Sequence, residues 1–376
     1  MRVLVAPDKF AGTLTAVEAS DAIRAGWLRR RPDDEVVLAP LSDGGPGFVD
    51  ALHASLGGQL HALTVTGPLG QPTPAALLLV SRDDRMTAYV ESAQACGLAL
   101  LPRDASGRRP EPDVAEAAST SGVGELVAAA LDAGADEVVV GLGGSGTNDG
   151  GAGLLGALGV VAEPADALTR GAASLPSLVS LDLEPARRRL AGRRLVAATD
   201  VTSPLLGLRG ATNVYGPQKG LSQERLFAVD GALSSFAHLV DRTTADAPGA
   251  GAAGGLGYAL LVLGAEQQPG IELVAAASGF AAELSRTDLV VTGEGSLDPQ
   301  TFTGKVVAGV AGLAGASGVP CVALAGRLEV GSRELRAAGV DAAYSMVDAL
   351  GERPALDRPA DSLSVLAQRV ARTWGR

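Results

Sequence analysis

Residues 2–6, Arg-Val-Leu-Val-Ala, form a short apolar run closed by Pro7, the pattern of a buried strand. After a loop over residues 7–14 the period lengthens. Val17, Ile23 and Trp27 recur at helical spacing, Thr15 and Glu18 make a capping-box pair at the start, and a basic run at 29–31 closes the end. A second apolar run, residues 35–41, leads into Ser42-Asp43-Gly44-Gly45-Pro46-Gly47. Strand, loop, helix and strand in this order predict the opening of a parallel sheet.

The rhythm changes near residue 58. Short runs at 60–66, 75–81 and 86–92 are separated by turn-rich segments and predict an antiparallel ribbon. Helices and strands then alternate again: a helix at 124–134, a strand at 136–142 and another at 193–200. The C-terminal part returns to the opening style, with strands at 288–295, 319–326 and 341–347 and helices between them, the first from about 304. This predicts a discontinuous α/β domain, residues 1–57 plus 286–376, with an α+β domain, residues 58–285, inserted into it.

Composition narrows the class. The chain has 376 residues, enough for two domains, and 47% are apolar but only 3% aromatic, so Leu, Val and Ala must build the cores. Fifty glycines cluster where apolar runs end, which suits tight strand-to-helix turns. A formal charge of −11 without a long basic block argues against a nucleic-acid surface. An anionic substrate would have to be held locally, by amides, a few basic side chains or a metal. Cys96, Cys321 and the scattered His53, His61 and His238 match neither zinc spacing nor a disulfide framework. The N-terminal apolar run is too short for a signal peptide. Residues 306–326 carry no charge, but five glycines and Pro320 divide them into a short helix, a turn and a strand rather than a membrane span. The expectation is a cytoplasmic protein with neither a membrane nor a nucleic-acid partner, its oligomeric state left open.

Chemistry concentrates at residues 141–153, Gly-Leu-Gly-Gly-Ser-Gly-Thr-Asn-Asp-Gly-Gly-Ala-Gly. Residues 141–146 spell GxGxxG after a predicted strand, with Glu163 near the spacing of a dinucleotide-binding acid, which keeps a nicotinamide-dependent oxidoreductase in view. Against that reading, the following helix is short and Asp149 would repel a pyrophosphate unless a cation lay between them. A magnesium-bridged phosphate removes the conflict: Gly143, Gly144, Ser145, Gly146 and Thr147 would cradle nucleotide phosphate, with Asp149 near the metal. The structural alternative is a glycine-rich turn in which Asp149 caps the helix. There is no GxxxxGK[ST], no kinase HRD or DFG set and no GxSxG, and histidines are too scarce for a Ser–His–Asp hydrolase.

Other predicted strand ends also join glycine to acids and bases: Asp8 and Lys9, Asp43, Asp200, Lys219, Glu294 and Gln300 all fall in such segments. Ligands of α/β sheets sit at the carboxyl ends of strands. Several carboxylates, few histidines and glycine cradles suit metal-assisted phosphoryl transfer, where positioning and charge neutralisation supply most of the catalysis. A non-catalytic metabolite sensor on the same scaffold is the other reading to separate.

The segments APDKFAGTLTA, SDGGPG, GLGGSGTNDGGAG, TDVTSPLLG, GATNVYGPQKG, GAGAAGGLG and GEGSLDPQTFTGK occur in this order along the whole chain. As a set they resemble the bacterial glycerate kinases of the glyoxylate and glucarate pathways. The resemblance implies ATP- and magnesium-dependent phosphorylation of D-glycerate, usually at the 2-hydroxyl, and two α/β domains around a cleft, one of them Rossmann-like. On it, Asp200 is the expected base for the glycerate hydroxyl. Lys9 and Lys219 would neutralise the substrate carboxylate and the transferring phosphoryl group. Asp8, Asp43, Glu294 and Gln300 are candidates for substrate contacts. The chain departs from the family's pattern at Lys9 and Ala11, where the family commonly has serine and lysine, at Pro46 in place of a glutamate, and at Thr199 in place of a cysteine.

Overall fold

The computed structural model describes residues 1–302 and 306–375, the side chains of Gln300 and Phe302 excepted. Its strands are β1 (Arg2–Val5), β2 (Glu35–Leu38), β3 (Gln59–Thr66), β4 (Pro72–Arg82), β5 (Arg85–Glu91), β6 (Glu137–Gly141), β7 (Val161–Glu163), β8 (Ser180–Asp182), β9 (Arg194–Ala198), β10 (Glu266–Gln268), β11 (Leu289–Leu297), β12 (Cys321–Leu328) and β13 (Ala342–Ser345). The chain divides into two compact units. One comprises Met1–Asp43, Asp50–Gly57 and Gly270–Arg376; the other comprises Gly44–Val49 and Gly58–Pro269.

In the first unit every strand pair is parallel and the order is β13-β12-β11-β1-β2. Numbered by their sequence within the unit, these strands run 2-1-3-4-5, a doubly wound order whose switch point lies between β1 and β11. The predicted first helix, Ala16–Arg30, carries its capping box: Thr15 accepts from Glu18 N, and the Glu18 carboxylate accepts from Thr15 N. Ile23 and Trp27 are buried on it, whereas Val17 is only half-buried. It packs against the C-terminal helix Pro359–Trp374, which the sequence reading did not single out. Val3, Val5, Leu289, Val291, Val322 and Leu324 form the sheet's buried share of this core.

The second unit holds a six-stranded sheet in the order β10-β9-β6-β5-β4-β3. The antiparallel ribbon β3-β4-β5 is present, but it is not a separate layer: β5 pairs parallel with β6, so the ribbon extends a parallel sheet. The helix Ser121–Asp132 buries Leu126, Val127 and Ala130 in a common core with Val138 and Val140 of β6. A mixed α/β architecture with parallel sheets follows in both units.

The chain passes from one unit to the other at 43 and 44, 49 and 50, 57 and 58, and 269 and 270. Gly270–Ala277 and Phe280–Leu284 belong with the chain ends. Two contacts hold them there: Ile271 lies where a Cβ on Gly309 would clash, and Glu283 pairs with Arg2. The uncharged stretch from residue 306 is the helix Val306–Ala316 followed by β12. Among the described residues no helix is long and apolar enough to cross a membrane.

Candidate active site

The expected site residues fall in two neighbourhoods, one in each unit. In the second unit the chain leaves β6, turns through residues 142–151 and enters the short helix Ala152–Ala157. Gly144 has φ +67, and a Cβ there would lie 2.7 Å from the Pro46 ring. Part of the glycine content therefore serves the close packing of two turns rather than access for a ligand.

Asp149 sits behind this turn and is 0% exposed. Its Oδ2 accepts from Thr120 N and Thr120 Oγ1, both at 2.8 Å, and from Gly153 N at 3.2 Å; its Oδ1 accepts from Gly151 N at 3.1 Å. Thr120 Oγ1 in turn accepts from Leu154 N at 3.0 Å. Burial pushes the Asp149 carboxyl above its usual range, and the bonds from Thr120, Gly153 and Gly151 oppose that rise. The expectation that Asp149 serves magnesium does not fit these surroundings: the carboxylate is sealed from solvent and its oxygens are occupied by protein donors. The capping alternative describes it. Among the described residues no three acidic, histidine or cysteine side chains group to hold a metal ion.

Lys219 ends the short turn Pro217–Lys219 and is 2% exposed. Its ammonium donates to Thr147 O at 2.7 Å and Ser145 Oγ at 3.0 Å. Among the described residues it makes no ion pair. Burial pulls its pKa down to about 8, while Cys96 and Asp149 nearby favour the charged form. Burial likewise pushes the Cys96 thiol up to about 12, which leaves it inert. Lys219 lines a cavity of about 250 Å³ together with Gly143, Gly144, Ser145, Tyr215 and Gln218, and with Val201 on its apolar side. Gly146 and Thr147 are buried in the turn and do not line it.

Two further features close this site. Ala253, at φ +50, also lines the cavity, and Gly254, at φ +70, lies so near that a Cβ on it would be 1.8 Å from Thr147 O. Asp200 follows β9, is half-buried, and immediately precedes the cavity residue Val201. Sequence reasoning missed Thr120, Tyr215 and Ala253. Tyr215 and Ala253 lie in glycine-rich segments already singled out, so their neighbourhood was visible. Nothing local ties Thr120 to Asp149.

In the first unit Asp8 and Lys9 follow β1, Asp43 follows β2 and Glu294 lies within β11 beyond its last residue paired to β1, so the four gather at the switch point. The Lys9 ammonium lies 3.6 Å from Asp8 Oδ1 and 3.9 Å from Asp43 Oδ1. Asp8 is 5% exposed; burial raises its pKa to about 7, Asp43 and Glu294 push the same way, and Lys9 opposes them. The side chain of Gln300 lies outside the described residues.

The dinucleotide reading of residues 141–146 does not hold. Its acid, Glu163, is exposed at the end of β7, which pairs antiparallel with β8 in a separate two-stranded sheet. The fingerprint needs that acid at the end of the next parallel strand of the same sheet.

The glycerate kinase family profile matches residues 3–375. A glycerate kinase of Bacillus subtilis (strain 168) is 39% identical over 379 residues, covering 99% of this chain and 97% of its own length. A glycerate 2-kinase of Escherichia coli (strain K12) is 37% identical over 381 residues, covering 99% and 98%. A crystal structure assigned as glycerate kinase 2 of Salmonella typhimurium LT2 superposes with a TM-score of 0.80 at 38% identity, over 100% of this chain and 98% of that one. With the profile and these relatives spanning both units, the chain belongs to the glycerate kinase family and is a kinase.

Proposed function

We propose that this kinase transfers the γ-phosphoryl group of ATP to the 2-hydroxyl of D-glycerate, giving ADP and 2-phosphoglycerate. The observation that carries the reading is Lys219: a buried cation that makes no ion pair among the described residues, lining a cavity beside a glycine turn in a chain of net charge −11. Such a charge is costly unless an anion compensates it. Relatives named glycerate kinase and glycerate 2-kinase supply the acceptor.

The glycerate hydroxyl oxygen attacks the γ-phosphorus, the bond to the β–γ bridging oxygen breaks, and ADP leaves with that electron pair. The hydroxyl proton passes to the Asp200 carboxylate. Lys219 and the backbone at Gly143, Gly144 and Ser145 hold an anionic group of the reactants, while Gly146, Thr147 and Asp149 keep the turn in shape. Asp8, Asp43 and Glu294 suit hydroxyl groups, since a carboxylate oxygen can accept a hydroxyl's hydrogen bond, and Lys9 lies beside Asp8 and Asp43. Magnesium, bound with the nucleotide, supplies charge neutralisation on the phosphates.

A coupled ADP-release assay with D-glycerate, followed by phosphorus NMR of the product, tests the reading; no ADP above background would sink it, and a 3-phosphate signal would correct the position. In the same assay Asp200→Asn should lower kcat about a hundredfold or more with KM little changed. A defect confined to KM, rescued by more glycerate, would reduce Asp200 to a substrate-holding residue.

A further inference from the structure

The Lys219 cavity has features that separate the two reactants from one another. Its volume, about 250 Å³, is below the roughly 300–1,000 Å³ of pockets that enclose drug-sized ligands. Its lining contains one cation, and no arginine. A nucleotide triphosphate carries several negative charges and a base and sugar besides. A three-carbon hydroxy acid carries one negative charge. One buried ammonium suits one carboxylate; a triphosphate keeps a surplus of negative charge even with magnesium bound.

The polar groups agree with this count. Lys219 spends two of its three N–H bonds on Thr147 O and Ser145 Oγ, so one remains. Because Ser145 Oγ accepts from Lys219, its own proton is available to another acceptor. Tyr215 OH lies 3.3 Å from Ser203 Oγ and adds a second hydroxyl at the cavity. Leu98, Leu142 and Val201 supply an apolar wall against which a short carbon chain can lie. The other lysine considered for a substrate charge, Lys9, already has Asp8 and Asp43 within 4 Å. Lys219 makes no such ion pair among the described residues, and the nearby Asp149 carboxylate is itself held by Thr120, Gly151 and Gly153.

We infer that the cavity is the hydroxy-acid site, with Lys219 binding the substrate carboxylate and Ser145 and Tyr215 setting specificity for a small hydroxylated acid. The assignment rests on the kinase reading above and gives this cavity to the acceptor rather than to the nucleotide. A carboxylate held there also places the substrate next to the segment carrying Asp200, the residue before Val201.

The test compares Michaelis constants in the full-length enzyme. Lys219→Met should raise KM for D-glycerate at least tenfold and leave KM for ATP within about threefold, since it removes one charge-assisted contact. Tyr215→Phe and Ser145→Ala should shift the same constant in the same direction, more weakly. Calorimetric titration of D-glycerate into the nucleotide-free enzyme should show binding that Lys219→Met weakens by a similar factor. If circular dichroism shows that Lys219→Met does not fold, the Tyr215 and Ser145 variants decide the matter alone. A rise in KM for ATP with KM for D-glycerate unchanged overturns the assignment and gives the cavity to nucleotide phosphate. Absence of ADP release by the wild-type enzyme is a different result: it removes the kinase reading itself.

Discussion

At the scale of single residues, the same low-dielectric surroundings act oppositely on a base and on acids. Burial favours the neutral form of any group, so it lowers Lys219 to about 8 and raises Asp8 to about 7. The consequence for Lys219 is a pH limit. Below about pH 8 the group carries its charge and can hold an anion; above it the proton leaves and the attraction goes with it. Cys96 and Asp149, the groups that face it, both favour the charged form. The kcat/KM for D-glycerate should therefore fall as pH rises through about 8. The limb in kcat should lie higher, because bound carboxylate stabilises the ammonium. A profile flat to pH 9.5 would mean that the lysine's charge is not used.

At the scale of elements, the connection from β6 to the helix Ala152–Ala157 is held by a carboxylate rather than by apolar packing alone. Asp149 offers only acceptors, and its surroundings offer only donors: two N–H groups of its own turn, and the N–H and hydroxyl of Thr120. Asparagine in its place would present an NH₂ group to some of these donors and leave them unsatisfied. Asp149→Asn should accordingly lower the urea-unfolding free energy by about 1–3 kcal/mol and reduce turnover, with no recovery at high magnesium. Recovery of turnover by added magnesium, with stability unchanged, would restore the metal role that the sequence reading gave this residue.

At the scale of the whole molecule, two sheets of different topology share one chain, and the doubly wound one concentrates acids at its switch point. Asp8 pays for that position in stability. Its folded pKa, about 7, lies above the usual unfolded value of about 3.9, so the native state binds the extra proton in between. Its contribution to stability declines as pH rises from about 4 to about 7 and is constant at its lower value above that. Asp8→Asn should thus stabilise the protein relative to wild type at pH 8 more than at pH 5, as read from urea-unfolding midpoints at both pH values. An equal shift at both would show that Asp8 ionises without cost.

What the sequence alone determined is what short-range chemistry encodes. The strand at residues 2–5, the capping box at Thr15 and Glu18, the short helix after the glycine loop and the split of the uncharged stretch near residue 306 all follow from period, caps and turn residues within a few positions of one another. The ordered motifs likewise pointed to the family. The tertiary structure decided which of the singled-out residues line a cavity and which hold the frame. Lys219 and Ser145 are 74 positions apart, Thr120 and Asp149 are 29 apart, and no local pattern states that they meet. The same holds for the helices at 270–284, whose unit was settled by Ile271 and Glu283 reaching distant partners. An aspartate in a glycine loop looks alike on paper whether it faces a metal or a ring of backbone donors. Only the fold brings Thr120 to Asp149 and removes the water around it, and that placement turns an expected metal ligand into the support of a glycine-rich turn.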